Sequence, residues 1–271
     1  MGRFIARFDG GQGTHVNLLI EQVYANANEE LKLGLAQQMV KAKLKNSALV
    51  LARYERHRTL NTDQQAKVRA AIQRLREDRV SVKAATSLER LRGLEGQAAR
   101  TYFEGFRNLL PKAWSFESRQ RQPPPDPVNV MLSLGYTLLY HSVTGLLQAR
   151  GFNPLIGFLH AMSAQHNALA SDVMEEFRSI VVDTVVLDGC LNGKFKMSQF
   201  SMHEGGCTMN KEATRQFIHA YESKLGMESQ WAWPGEASGA DLRRKIDWQI
   251  MKLAQALHAQ DASRYVTGND R

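Results

Sequence analysis

The chain has 271 residues, with 35 Lys and Arg against 27 Asp and Glu, a formal net charge of +8 and a sequence pI of about 9.6. A hydrophobic content of 43% at this length excludes wholesale disorder and supports a sizeable core. Two cysteines in separate contexts, Cys190 and Cys207, exclude a disulfide framework, so we expect a reducing, cytoplasmic compartment. The positive charge favours nucleic acid as a partner over a membrane surface.

The first segment predicts a single β-strand. Residues 3–9, RFIARFD, alternate polar and apolar side chains and are followed by Gly10 and Gly11. A lone strand cannot form a sheet, so its partners come from another chain or it is the remnant of a missing upstream domain. The segment contains no apolar run long enough for a signal peptide.

Apolar residues then recur every three or four positions, which predicts helices along most of the chain. The expected helical ranges are 16–54 (one or two helices), 63–79, 85–110, 127–148, 168–187, 211–225 and 239–259. Thr86 or Ser87 is the expected N-cap of the helix over 85–110, and Asp126 with Pro127 should begin the next helix. The fold class is mainly α, a multi-helix domain with one short N-terminal strand.

Two of the predicted helical segments allow an alternative interpretation. The run VNVMLSLGYTLLYHSVTGLLQ has about the length of a membrane span, but polar side chains recur along it at helical spacing, so we expect a buried core helix. The basic segment KAKLKN, with further arginines up to Arg58, is either a solvated helix face or an arm that contacts phosphates.

Residues 154–183 place ionisable side chains inside an apolar, helix-forming run. These side chains are His160, His166, Asp172, Glu175 and Glu176. Asp172 and Glu175 are three apart, so on a helix they are neighbours on one face. Two carboxylates that close repel each other unless a cation or a proton lies between them. A metal site is therefore the first hypothesis for this stretch.

Common catalytic motifs are absent from the sequence: there is no GxxxxGK[ST], no GxGxxG after a strand, no GxSxG and no HExxH. What remains is Glu95, His160, Asp172 and Glu175, an oxygen-rich set with one nitrogen that suits Mg²⁺ or Mn²⁺ better than structural zinc. Such a metal beside a basic surface suits phosphodiester chemistry on nucleic acid. From the residues alone, a hydrogen-bonded core histidine at 160 and a surface glutamate at 95 stay the favoured interpretation.

Three runs change this balance. LEGQAARTYFEGF, RQPPPDPVNVMLSLGYTLLYHSVTGLLQARGFNPLIGFLH and LASDVMEEFRSIVVD resemble, in order, the CRISPR-associated spacer-acquisition integrase, the metal-dependent DNA endonuclease of CRISPR adaptation modules. The similarity begins at about residue 3 and extends through 205–226 and the final basic helix. It implies a remnant of an N-terminal β-domain at 1–13 and an α-helical catalytic domain at 14–271.

Family members usually carry several N-terminal strands, which build the homodimer and help to contact a small CRISPR-associated partner protein. Only the last of these strands is evident here. The chain is therefore expected to be a natural short form, a fragment, or a fusion product that lacks its front.

By resemblance, Glu95, His160, Asp172 and Glu175 are the catalytic residues and bind a divalent metal, Mg²⁺ or Mn²⁺. The family position that matches Glu175 is Asp in some members and Glu in others. The same resemblance predicts that Asp172→Ala abolishes catalysis and spares the fold.

Other polar residues receive supporting roles or none. Asn129, Ser133 and Tyr136 match a family run that packs beside the site, so a supporting role behind the metal ligands is expected for them. His166 and Glu176 are predicted to be bystanders, with DNA contact left open for His166.

The implied reaction joins the 3′-hydroxyl ends of foreign DNA fragments to the CRISPR repeat by transesterification. Two alternatives stay open: a structure-specific DNA nuclease without integration, and a non-catalytic DNA-binding scaffold subunit. The expected partners are DNA, further copies of the chain in a homodimer or higher oligomer, and the small adaptation protein, with no membrane.

Overall fold

The computed structural model describes residues 16–228 and 240–266, and the predicted strand at 3–9 lies outside them. The described residues form nine α-helices and one β-hairpin, so the mainly α-helical class is confirmed. The helices are α1 (Val16–Ala27), α2 (Glu29–His57), α3 (Thr62–Lys83), α4 (Leu88–Leu109), α5 (Pro127–Ala149), α6 (Ala168–Arg178), α7 (Thr184–Leu191), α8 (Lys211–Gly226) and α9 (Leu242–Ala259).

Side-chain caps begin most of these helices. Six described helices have an N-cap residue whose side chain accepts a hydrogen bond from a first-turn backbone N–H. These residues are Asn28, Asn61, Ser87, Asp126, Asn210 and Asp241. The predicted caps Ser87 and Asp126 are confirmed, and Pro127 occupies the first turn of α5 as expected.

Helix α2 is the centre of the fold. It packs against α3 and α4 on one side and against α6 on the other. Its apolar stripe, which includes Leu35, Met39, Val50 and Leu51, is fully buried. Because α4 and α6 both contact α2, side chains from three separate parts of the sequence can meet at its surface.

The helix predicted over 168–187 is interrupted by one π-helical turn, Ser179–Asp183, between α6 and α7. The whole turn is buried, and it packs against α2, α5 and α8. A π-turn inserts a residue into the helical repeat and so changes the direction of the side chains that follow. Apolar periodicity did not reveal it, because the segment is buried on all sides and shows no polar face.

The β-hairpin was not predicted. Strands β1 (Phe200–His203) and β2 (Gly206–Met209) pair antiparallel in a region outside the helical ranges predicted from the sequence. Each strand has only four residues and most of β1 is exposed, so no clear alternation marks it. Gly206 has a φ of 111°, and a Cβ at this position would lie 2.7 Å from the Pro124 carbonyl oxygen.

Helix α5 is the described helix that is long and apolar enough to cross a membrane by length and composition. The structure instead packs it against α6, the π-turn and β2, with Leu132, Leu139, Val143 and Leu147 fully buried. It is a core helix, as the polar residues along it predicted.

The close approach of α4 to α2 and α3 yields a stability prediction. A Cβ on Gly105 would lie 2.7 Å from Leu51 Cδ1 and 2.9 Å from Ala71 Cβ, whereas a Cβ on Gly93 of the same helix meets nothing within 4 Å. Gly105→Ala should lower the free energy of unfolding by about 1–3 kcal/mol through overpacking. Gly93→Ala should leave it unchanged or raise it by up to about 1 kcal/mol, because alanine favours helix. Urea unfolding measures both, and equal effects would contradict the packing argument.

Candidate active site

Asp172 holds the loop that carries His160. The buried Asp172 carboxylate lies on α6 and accepts hydrogen bonds from the backbone N–H groups of Phe158 (2.5 Å), Leu159 (3.0 Å) and His160 (2.9 Å). It also contacts His160 Nδ1 at 2.7 Å. Because Nδ1 is engaged in this way, Nε2 is the imidazole nitrogen left to face the rest of the site.

Helix α1 fixes the same loop from the opposite side. The fully buried Gln22 donates from Nε2 to the carbonyls of Asn153 (2.9 Å) and Ile156 (2.8 Å), and its Oε1 accepts from Asn153 N–H. Asn26, one turn later, donates to the Gly157 carbonyl at 2.5 Å. An irregular loop therefore has its backbone groups satisfied by two helices, which positions His160 without secondary structure of its own.

Glu175, one turn after Asp172, points into the site. Its Oε1 lies 4.0 Å from His160 Nε2 and 3.1 Å from an Arg178 guanidinium nitrogen. Its Oε2 lies 2.6 Å from Lys43 Nζ, and the same ammonium contacts Glu95 Oε1. The Glu95 and Glu175 carboxylates, 80 positions apart in the sequence, therefore meet around one lysine of α2.

Charge balance keeps Glu175 and Lys43 ionised. Burial would raise the pKa of Glu175, but Arg178 and Lys43 outweigh it and hold that pKa below its ordinary value. Burial lowers the pKa of Lys43, but Glu175 and Glu95 outweigh this effect and the net shift is upward. At neutral pH Glu175 is therefore a carboxylate and Lys43 an ammonium.

The four predicted ligands divide into two groups. Glu95 and Glu175 meet on Lys43, and His160 Nε2 lies 4.0 Å from Glu175 Oε1, whereas both oxygens of Asp172 are used on the His160 loop. In residues 16–228 and 240–266, no three His, Cys, Asp or Glu side chains are arranged to hold a metal as they stand. The metal assignment stays a prediction.

The donor set nevertheless suits a hard divalent cation. Two carboxylate oxygens already enclose a cation, and an imidazole nitrogen lies close by. Glu175 Oε2 is buried and accepts no well-directed hydrogen bond despite its ion pair with Lys43. Oxygen-rich sites with one imidazole are typical of Mg²⁺ and Mn²⁺.

A cavity of about 710 Å³ opens beside the cluster and includes Lys43, Glu95 and Glu175 in its wall. Its lining has seven basic side chains against five acidic ones, and five of the basic ones are arginines. The arginines are Arg100, Arg107, Arg119, Arg121 and Arg178. Guanidinium groups bind phosphate through paired N–H donors, so this wall suits a polyanion such as a nucleic-acid backbone.

Of the predicted supporting residues, Tyr136 lies in this wall, and Asn129 and Ser133 contact the wall residue Arg119. The Arg119 guanidinium donates to Asn129 Oδ1 (2.9 Å) and Ser133 Oγ (3.0 Å) and lies 5.4 Å from the ring centre of Tyr136. Arg178 also lies over that ring, at 4.9 Å. Asn129, Ser133 and Tyr136 thus orient two arginines of the cavity.

Asp183, the last residue of the π-turn, was not predicted as a site residue. Tyr102 (2.8 Å) and Tyr136 (2.6 Å) donate their hydroxyls to its two carboxylate oxygens. Burial raises the pKa of Asp183 to about 6, although these hydrogen bonds and Arg178 oppose the shift. Only a carboxylate inside the apolar run SIVVD hinted at it.

Lys43 was missed as a site residue because it was counted with its basic neighbours. It lies four positions after Met39 and seven before Val50, on the buried face of α2. A lysine that interrupts an apolar stripe at this spacing is a signal for a buried partner.

The two predicted bystanders lie outside the carboxylate cluster. His166 stacks on Tyr140 with ring centres 5.8 Å apart and its Nε2 lies 3.0 Å from Ser171 Oγ. Glu176 is fully buried on another face of α6, where Tyr265 donates to it at 3.4 Å.

The sequence model of the family described as "CRISPR associated protein Cas1" matches residues 1–223. The chain belongs to the Cas1 family.

Named Cas1 proteins and solved structures agree with this assignment. The chain is 36% identical over 237 residues to "CRISPR-associated endonuclease Cas1 3" of Thermus thermophilus, covering 88% of this chain and 65% of that protein. It therefore spans slightly less than two thirds of this relative's length. A "Partial Cas6-RT-Cas1--Cas2 complex" matches 98% of the chain and 77% of the solved chain, with 28% identity and a TM-score of 0.82. A "Casposase bound to integration product" shares the fold, at 24% identity, a TM-score of 0.79, and 93% and 68% coverage.

The Asp172 hydrogen bonds predict that Asp172→Ala lowers the stability of the fold. This differs from the expectation from the sequence, in which the substitution leaves the fold unaffected. Asp172→Ala leaves three backbone N–H groups without their acceptor, so we expect a loss of about 2–4 kcal/mol in the free energy of unfolding. The adjacent Ser171→Ala, which removes one contact to His166, should cost under about 1 kcal/mol. Chemical denaturation separates the two, and an Asp172→Ala protein as stable as Ser171→Ala would contradict the anchoring role.

Asp183 predicts a distinct pH dependence. Its folded pKa of about 6 exceeds its unfolded value, so the folded state holds the proton more tightly and stability falls as pH rises between about 4 and 6. Relative to Asp183→Asn, the wild-type Cas1 domain should lose roughly 2 kcal/mol between pH 4 and pH 7. Urea unfolding of both proteins across this range measures the difference, and a constant difference would show that Asp183 is not shifted.

Proposed function

We propose that this Cas1-family chain is a metal-dependent DNA integrase and endonuclease of CRISPR adaptation. It would join the 3′-hydroxyl ends of foreign DNA fragments to the CRISPR repeat. The observation that carries the proposal is the meeting of Glu95 and Glu175 on Lys43 in the wall of an arginine-lined cavity, with His160 Nε2 4.0 Å from Glu175. Relatives named CRISPR-associated endonuclease support the same chemistry.

Glu95, Glu175 and His160, through Nε2, would hold one Mg²⁺ or Mn²⁺ ion. A divalent ion there polarises a phosphoryl oxygen and neutralises charge that develops in the transition state. Asp172, named with them from the sequence, would instead fix the tautomer and orientation of His160, since it already binds Nδ1. This narrows the proposed ligand set from four residues to three.

The chain's own cations would bind and orient the DNA. Arg119 and Arg178, held against Tyr136, present guanidinium groups to the cavity and would clamp phosphates beside the carboxylates. In the reaction, the 3′-oxygen of the incoming strand forms a bond to phosphorus while the bond to the target's 3′-oxygen breaks. The attacking hydroxyl loses a proton and the leaving oxygen gains one, so the number of phosphodiester bonds is unchanged. Positioning and electrostatics supply the catalysis.

Two other functions use the same residues. If water replaces the 3′-hydroxyl, the site is a nuclease. If the chain lacks activity and the basic cavity only binds DNA, it is a scaffold subunit. The similarity to the solved "Partial Cas6-RT-Cas1--Cas2 complex" supports the proposal that copies of this chain assemble with each other and with a small partner protein. This assembly would act on DNA in the cytoplasm.

A joining assay tests the proposal. Purified protein is incubated with Mn²⁺, a supercoiled plasmid bearing a repeat, and short labelled duplexes with free 3′-hydroxyls. Label should enter the plasmid, and duplexes with dideoxy 3′ ends should give none. Glu95→Gln and Glu175→Gln should each lower joining by at least about 100-fold, the usual cost of one lost electrostatic contact to a transition state.

The matched control is Glu222→Gln. It removes an exposed carboxylate of α8 that pairs with Arg243 of α9. It should join at the wild-type rate. Release of short fragments without joining would favour the nuclease, and inactivity with retained DNA binding would favour the scaffold. Joining activity retained in both Glu95→Gln and Glu175→Gln would refute the proposed metal ligands.

A further inference from the structure

Lys43 occupies an unusual place for a lysine. Its side chain is only 12% exposed, and α2 is fixed against α6 by Asn46, which donates to the Glu176 carbonyl at 2.8 Å. The backbone of Lys43 is thereby held at a set distance from Glu175. Buried lysines are rare unless paired, and this one is paired with both carboxylates of the proposed metal site.

The two cations near Glu175 have different positions. The Arg178 guanidinium lies 3.1 Å from Glu175 Oε1 and over the Tyr136 ring, so it is to one side of the cluster. Lys43 Nζ lies 2.6 Å from Glu175 Oε2 and also contacts Glu95 Oε1, so the ammonium lies between the two side chains. Both of these residues would hold the divalent ion.

We propose that Lys43 is an internal counter-ion that fills the place of the divalent metal in the metal-free protein and competes with the metal for it. The inference rests on the proposed function, because it assumes that Glu95 and Glu175 are the metal-binding carboxylates. An ammonium and a divalent ion repel and cannot share the same two oxygens. Metal loading therefore requires the ammonium to leave them.

The cavity provides the place to which the ammonium moves. Lys43 lines it, and a lysine carries its charge on a flexible four-carbon stem that can turn while the backbone stays fixed. In the cavity the ammonium joins the arginines that face the bound polyanion. Lys43 is thus a positioning residue that holds the empty site together and adds a positive charge for the DNA when the metal is loaded.

Mn²⁺ binding, measured by titration calorimetry, tests the competition without reference to activity. Lys43→Met keeps the length of the stem and removes the charge. It should bind Mn²⁺ at least about tenfold more tightly than the wild type, because a competing charge in contact with the ligands is gone. Its metal-free melting temperature should fall, and Mn²⁺ should raise that temperature more than in the wild type.

Lys67→Met is the matched control. Lys67 also lines the cavity, but its side chain is 54% exposed and pairs with Asp63 at 2.6 Å instead of with the carboxylate cluster. The substitution removes the same charge from the same cavity, and Mn²⁺ affinity should stay within about twofold of the wild type, because exposed charges are screened. Lys43→Gln repeats the measurement if Lys43→Met does not fold without metal.

A double-mutant cycle of Lys43→Met and Glu95→Gln, measured without metal, tests the counter-ion role separately. Adding Glu95→Gln should restore part of the melting temperature that Lys43→Met loses, because it removes one uncompensated carboxylate. Purely additive losses would overturn the counter-ion role.

The outcomes separate this inference from the proposed function. Mn²⁺ affinity that is unchanged or weaker in Lys43→Met, in a protein whose wild type binds Mn²⁺ and joins DNA, would overturn only the competition. No Mn²⁺ binding by either protein would remove the metal from the proposed function and overturn the competition with it.

Discussion

Two acidic side chains, the partly exposed Glu95 and the buried Glu175, meet on Lys43, and this positive charge is the condition on which the site depends. Neighbouring carboxylates repel each other unless a cation or a proton lies between them. Lys43 supplies the charge from α2, and Arg178 adds to it from the last turn of α6. The central position of α2 in the fold therefore has an electrostatic consequence as well as a packing one.

A second constraint concerns the irregular loop that carries His160. Such a segment has backbone N–H groups that no helix or strand satisfies. Asp172 accepts three of them, and Gln22 binds carbonyls further back in the same loop. The Asp172 carboxylate binds both the loop backbone and the imidazole Nδ1. The conformation of the loop and the direction of Nε2 are therefore set by the same side chain. This explains why Asp172 and Glu175, three residues apart, have different roles.

The π-turn after α6 links this cluster to the cavity wall. It brings Asp183 to the hydroxyls of Tyr102 and Tyr136, and Tyr136 in turn lies beneath the guanidinium groups of Arg119 and Arg178. A π-turn is a local irregularity that packing must compensate, and such turns are frequent at functional sites. Here it lies beside both the carboxylate cluster and the arginines of the cavity wall.

The sequence by itself determined the helices, because apolar spacing and capping side chains such as Ser87 and Asp126 are local signals. It also offered Glu95, His160, Asp172 and Glu175 as candidates, but their assignment as a ligand set came from the resemblance of its runs to the CRISPR-associated integrase family. It did not reveal the hairpin at 200–209, whose strands are too short to show a pattern, or the π-turn in a segment that is buried on all sides.

Only the tertiary structure decided which charges meet. Lys43 and Glu95 are 52 positions apart, and their contact depends on how α2, α4 and α6 pack. The direction of each carboxylate was equally undetermined, because Asp172 could face either the loop or the cluster until the loop was in place. Local spacing sets which residues share a helix face, whereas burial and ion pairing depend on elements that are distant in the chain.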